Sequence, residues 1–377
     1  MDMIRQFRDV SEHPEIYARE WKQKNNGSVV GYLCSYAPEE LILAAGALGY
    51  RIFGGGHSIS RADAHLQSYS CSLVRGALED ALSGRLDFVD GMVFPHTCDS
   101  IQRLSDIWRM NASTGFHIDA VLPVCLNTDS ARDYMRDVLR RFKTDMEQHL
   151  KTDIHEADLK AAVETIDGIR AGMERLYTLR RDCPEQIHGS DFHAIVRASM
   201  VMDRREFLEA LNRLLADTET SASVPRRSAA KRLLLSGGAC TFPDIYDIIE
   251  SAGGVVVGDD LCTGLRQWSG RTHIGNDLLA SIADRYLRRP VCPAKHAGLT
   301  CRGDELVRMA KENRVAGVIF LFLKFCDPHA FDYPYLKQRL DAEGIPSLRI
   351  ELEDQMTAEG PLRTRCEAFV ETLQAGL

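Results

Sequence analysis

The chain has 377 residues, 45% hydrophobic and 27% charged, with a net charge of −8. At roughly 100 to 200 residues per domain this length points to more than one core, and no apolar run of about 18 residues offers a membrane-spanning helix. Arginines interleaved with acids exclude the basic face of a nucleic-acid-binding protein, and the opening MDMIRQFRDVSEHPEIY lacks the basic region and apolar stretch of a secretory signal, so a cytoplasmic location is expected.

In chain order, SVVGYLCS (28–35) is a continuous apolar strand. APEELILAAGALG (37–49) is a helix with Pro38 in its first turn and Gly49 at its end, and YRIF runs into Gly54, Gly55 and Gly56. FVDGMVFPHTCDSIQRLSDIW (88–108) supplies another strand and helix, and FHIDAVLPV (116–124) a further strand, completing an α/β lobe over 1–130. Apolar residues at three- and four-residue spacing then predict a helical section over 131–225, and TETSASVPRRSAA (218–230) reads as a surface linker. A second α/β lobe is expected over 226–377: KRLLLSGGA, VVVGDD, VAGVIFLFLKFCD and IPSLRIELED are its strands, with helices between. GMVFPHTCDSIQRL and GVIFLFLKFCDPHAF each deliver Cys-Asp from an apolar strand to a helix start, which reads as an internal duplication.

The eleven cysteines are an odd count, widely spread, and form no CxxC pair, which argues against a disulfide framework and against local zinc or ferredoxin-type motifs. Any thiol site is therefore assembled from distant segments. Cys98 and Cys326 fall where parallel strands run out, the edge at which such sheets bind ligands, and Cys71 in SYSCSLVRGALED also precedes a helix. A helix N-terminus is expected to lower the thiol pKa at these places, with Asp99 and Asp327 as capping residues. Cys34, Cys125, Cys183, Cys292, Cys301 and Cys366 read as buried small hydrophobes, while Cys240 and Cys262 stay open between burial and ligation.

SCSLVRGALED, FPHTCDSIQRLSDIW, VGDDLCTG, RPVCPAKHAG, KFCDPHAFDYPYLK and GPLRTRCEAFVE resemble the 2-hydroxyacyl-CoA dehydratase and benzoyl-CoA reductase superfamily over nearly the whole chain. KFCDPHAFDYPYLK together with PAKH is most similar to the C-type subunit of ATP-dependent benzoyl-CoA reductase. The resemblance implies two flavodoxin-like or Rossmann-like lobes with helices, and a 4Fe-4S cluster held by Cys71, Cys98 and Cys326, or an 8Fe-9S double-cubane cluster as in some relatives. It implies a homologous cluster-binding partner subunit, an ATP-hydrolysing iron–sulfur activator fed by ferredoxin, and an acyl-CoA substrate. No GxxxxGK[ST] motif occurs, consistent with ATP being used by the activator. The implied reaction is reduction of benzoyl-CoA to cyclohexa-1,5-diene-1-carbonyl-CoA. The alternatives are radical dehydration of a 2-hydroxyacyl-CoA, a double-cubane reductase of small molecules, and a cluster-free scaffold that only binds acyl-CoA.

Other residues have both a functional and a plain reading. His57, His96 and His329 lie beside loop edges and could donate a proton, or could simply cap helices. Ser35 and Glu39 sit where the resemblance places polar groups near substrate, although Glu39 also suits a helix first turn. IFGGGHSIS and SGGACTFPD could bring backbone N–H groups against an anion or serve as turns, and Arg363 and Arg365 read as surface residues of a terminal helix.

Overall fold

The structure, a computed structural model, describes residues 2–55, 58–220, 230–238, 241, 244–352 and 359–373. Helices α1 (Asp2–Glu12) and α2 (Pro14–Asn25) lead into β1 (Val29–Tyr32), α3 (Glu39–Ala44), β2 (Leu48–Arg51), α4 (Ser72–Leu82), β3 (Gly91–Pro95), α5 (Asp99–Asn111) and β4 (Phe116–Ala120). Four helices follow: α6 (Asp129–Leu150), α7 (Glu156–Asp182), α8 (Gly189–Ala198) and α9 (Arg204–Thr220). The remainder is β5 (Lys231–Gly237), α10 (Ile245–Ser251), β6 (Gly254–Leu261), α11 (Leu265–Trp268), α12 (Leu278–Arg288), α13 (Cys301–Glu312), β7 (Gly317–Leu323), α14 (Asp327–Ala342), β8 (Ser347–Leu352) and α15 (Glu359–Thr372).

Both sheets are parallel, and their orders correspond strand for strand: β2-β1-β3-β4 and β6-β5-β7-β8. The expected duplication thus extends to topology. Strands such as Gly254–Leu261 are buried along their whole length because helices cover both faces, which is why they read as unbroken apolar runs. In each sheet the chain turns to one side after the first strand and to the other after the third. That leaves a crevice beyond the C-terminal ends of β1 and β3, and of β5 and β7.

One expected boundary moves. The helix predicted to run to Gly49 stops at Ala44, where Gly46 takes φ +75°, and Leu48–Arg51 instead pairs with Val29–Tyr32 as strand β2. The stretch Ala-Leu-Gly-Tyr carries no alternation to announce this, since both faces of the strand are covered.

The two sheets share one continuous apolar core, in which Val29 and Leu48 of the first meet Leu233 and Ile319 of the second through α7 and α9. Helix α7, about 40 Å long at 1.5 Å per residue, is the beam between them. Its Arg170 bonds Glu40 of α3, its Tyr177 hydroxyl donates to Asp259 of β6 at 2.7 Å, and its Arg180 Nε donates to Val256 O at 2.8 Å. The chain also crosses back: α12, from the second half, packs Leu278, Ile282 and Tyr286 against α6 and the first sheet's helices. Among the described residues no helix is long and apolar enough to cross a membrane.

Candidate functional site: a cavity lined by six thiols

Three helices begin on a cysteine. Cys71, Cys98 and Cys326 are the N-cap residues of α4, α5 and α14, and all three line one cavity of about 70 Å3 between the sheet edges. The sequence does this by the same local device each time. An extended cysteine turns its carbonyl into the first helical hydrogen bonds, Arg75 N to Cys71 O at 3.2 Å and Gln102 N to Cys98 O at 3.1 Å, and the thiol is left facing inward. At Cys326 a left-handed residue, Phe325 (φ +65°), makes the turn, and Ala330 N closes on Cys326 O at 3.1 Å. Asp99 and Asp327 are therefore first-turn residues, not caps as expected from the sequence.

The cavity holds more sulfur than the sequence reading assigned. Cys34, Cys262 and Cys292 also line it, so six thiols face one space whose other walls include Leu73, Val74, Ile101 and Leu323. Cys34 follows β1 in a left-handed conformation (φ +59°), uncommon for a non-glycine residue and held here by a bond between its sulfur and Thr97 Oγ1 at 3.1 Å. Cys262 directly follows β6, and Cys292 arrives from the segment after α12 that crosses to the first sheet. The expectation that Cys34 and Cys292 are only buried hydrophobes is thus corrected: burial they have, but around a shared space. Cys125 is exposed, contrary to its expected burial, while Cys366 is fully buried in α15 as expected. Cys240 and His57 lie outside the described residues.

Burial dominates the thiol chemistry. It pushes Cys71 and Cys98 up to about 11 and Cys34 to about 12, and Cys326 well above the usual thiol value. The helix N–H groups pull the other way, Val74 on Cys71 and Ile101 on Cys98, but desolvation outweighs them, so the expected lowering does not occur without a metal. Cys262 and Cys292 behave as a pair sharing one proton. The bond from Cys292 and then the nearby Arg266 guanidinium hold the Cys262 thiol well below its usual range, while Cys292 keeps the proton.

Of the expected proton donors, His329 is at the cavity and buried, with Nδ1 3.2 Å from Cys326 Sγ and Nε2 3.3 Å from Arg266 Nη2. An arginine can only donate, so Nε2 accepts and Nδ1 carries the hydrogen that points at the Cys326 sulfur. His96 does not line the cavity; its Nε2 lies 2.9 Å from Asp119 Oδ1. Ser35 and Glu39 are buried just behind it with their polar atoms engaged. Arg289 bonds both the Ser35 hydroxyl and its carbonyl at 2.5 Å, and Glu39 accepts from the Tyr32 hydroxyl at 2.8 Å, from Arg204 Nε at 2.7 Å and from Gln267.

Thiolate sulfur selects soft and iron–sulfur centres. Among the described residues no three His, Cys, Asp or Glu side chains converge closely enough to hold a single metal ion. The donor set fits a larger polynuclear group, whose ligands stand further apart, and an apolar lining suits one that must be kept from water.

Residues 34–373 match the family model of the 2-hydroxyglutaryl-CoA dehydratase D-component. The chain is 28% identical over 367 residues to the (R)-phenyllactyl-CoA dehydratase beta subunit of Clostridium sporogenes, covering 97% of each. It is 27% identical over 364 residues to the C-type subunit of benzoyl-CoA reductase from Thauera aromatica, covering 95% of this chain and 94% of that one. It is 25% identical over 380 residues to the beta subunit of (R)-2-hydroxyglutaryl-CoA dehydratase of Acidaminococcus fermentans, covering 98% and 99%.

Proposed function

The chain belongs to the family of the 2-hydroxyglutaryl-CoA dehydratase D-component, and from that membership we propose that it is the iron–sulfur subunit of a complex that drives single electrons into a CoA thioester. The observation that carries this reading is the convergence of Cys71, Cys98 and Cys326, from both halves of the chain, on one enclosed cavity. When bound, such a cluster supplies electrons at the low potential that breaking aromaticity, or expelling a hydroxyl group, requires. The protein's own part is to hold the thiolates, to exclude water with Leu73, Val74, Ile101 and Leu323, and to direct the His329 Nδ1 hydrogen at the Cys326 sulfur.

The finer reading is reduction of benzoyl-CoA to the cyclic dienoyl-CoA, supported by the likeness of KFCDPHAFDYPYLK and PAKH to the reductase C-type subunit and by the matching relative of that name. Relatives named as dehydratases support the alternative, elimination of water from a 2-hydroxyacyl-CoA. The relatives are named as subunits, which supports a homologous partner. The exposed Phe331 (85%) and Leu299 (87%), close to the Cys326 helix start, give that partner or the ATP-hydrolysing activator an apolar surface to meet.

A second reading of the cofactor is favoured by a specific observation. A cubane has four irons and takes at most four terminal ligands, whereas six thiols line this cavity. Cys34, Cys262 and Cys292 beside the first three suit an 8Fe-9S double-cubane cluster. Iron and sulfide analysis of anaerobically purified protein separates the possibilities: about eight irons per chain for the double cubane, about four for one cubane. A folded, active complex without iron would refute both. With activator, ATP and a low-potential donor supplied, turnover of 2-hydroxyacyl-CoA but not of benzoyl-CoA would overturn the reductase reading.

A further inference from the structure

Around the thiol cavity the buried charges do not balance. Glu39 is taken by Arg204, and Asp260 by Arg266 and Arg302. Two more cations stand nearby with no acid of their own: among the described residues neither Arg51 nor Lys295 makes an ion pair. Arg51, the last residue of β2, is 1% exposed and lines the cavity, and its guanidinium meets neutral groups, Gln267 Oε1 at 3.0 Å and the Tyr32 ring. Lys295 is 6% exposed, donates to Leu122 O at 3.3 Å, and stands within electrostatic reach of Cys292, Cys34 and Cys98.

A charge held away from water without a counter-ion is strongly disfavoured, so the working protein must place negative charge beside these two residues. The thiols alone do not provide it. Burial holds Cys34, Cys71 and Cys98 at about 12, 11 and 11, protonated at neutral pH, and the Cys262 thiolate is matched by Arg266.

We propose that Arg51, seconded by Lys295, is the counter-ion of a thiolate-bound anionic cluster in this cavity, retaining it and raising its reduction potential. This rests on the cluster reading above. Reduction adds one negative charge, and a fixed cation in a low-dielectric site favours the more negative state.

The test is a potentiometric titration, followed by electron paramagnetic resonance, of anaerobically reconstituted wild-type protein, Arg51→Gln, Arg51→Lys and Lys295→Gln, with iron counted in each. Arg51→Gln should shift the reduction equilibrium at least tenfold toward the oxidised form, which is 59 mV for a one-electron couple. Arg51→Lys should restore most of that shift, and Lys295→Gln should move it in the same direction by less. Melting separates this from a structural role: in metal-free protein Arg51→Gln should leave the midpoint unchanged or higher, and in loaded protein lower. If Arg51→Gln fails to hold iron, Lys295→Gln carries the measurement. Loaded variants whose potentials stay within twofold of wild type refute the counter-ion assignment alone. Wild-type protein that takes up no iron refutes the cluster reading and this assignment with it.

Discussion

Glu39→Gln separates a residue that serves the fold from one that serves a substrate. The Glu39 carboxylate and the Arg204 guanidinium are 5% and 3% exposed, and the acid also accepts from Tyr32 and Gln267. Glutamine keeps the shape but removes the charge, and whichever way its amide turns, an N–H group meets another donor, since all three partners donate. Arg204 would keep only the Tyr32 hydroxyl and the carbonyls of Met202, Gly49 and Met200, which do not neutralise it. Breaking a buried pair in this way costs about 3–5 kcal/mol. Urea titration of the metal-free protein should show that loss as a lower midpoint with an unchanged slope. The double variant Glu39→Leu with Arg204→Met should regain more than half of it, because an apolar replacement leaves no stranded charge. A loss below about 1 kcal/mol, the range of an exposed ion pair, would refute the structural assignment and free Glu39 to act on substrate.

Serine at Cys71, Cys98 or Cys326 should each strip iron from the protein. Cys366→Ser should keep its iron yet lose about 1–3 kcal/mol in denaturation, since a hydroxyl is buried without a partner in α15. Gly54→Ala should both destabilise the fold and loosen the metal: φ is +58°, where an alanine costs roughly 1–2 kcal/mol, and its Cβ would sit 2.3 Å from Leu73 O in the helix that Cys71 starts. Circular dichroism and iron content read the two effects, and a variant as stable as wild type would contradict the packing described. The metal-free protein should also weaken in alkali. Cys71 and Cys98 ionise near 11 when folded against 9.0 ordinarily, so their stabilisation is whole below pH 9 and disappears as pH rises through 11. That is about 2–3 kcal/mol per thiol, and a Cys71→Ala/Cys98→Ala variant should show a flatter profile between those values.

Much of the fold was legible because buried parallel strands announce themselves: runs such as VVVG and GVIFLFL have no other reading between glycine and proline stops. The helices α11 to α13 were not, since they lie between β6 and β7 without a sustained periodic stripe, and α12 buries its face against the opposite half of the chain. The site was half legible. The strand-end rule that singles out Cys98 and Cys326 applies equally to Cys34 after β1 and Cys262 after β6, and applied evenly it would have found them. Cys292 carried no local signal, because only the packing of α12 on α6 brings it round. The expected lowering of thiol pKa failed because a helix start is weaker than complete desolvation.

The walls of the thiol cavity come from the ends of β1, β3 and β7 and from the segment beyond α12, so its ligands run from Cys34 near one end of the chain to Cys326 near the other. A motif whose cysteines sit a few residues apart can seize metal while the chain is still being made. This one cannot, because no ligand set exists until both sheets have closed on α7, and contacts so distant in sequence form late. Maturation of the centre is therefore posttranslational: iron and sulfide enter a chain that is already folded, through whatever opening its two halves allow.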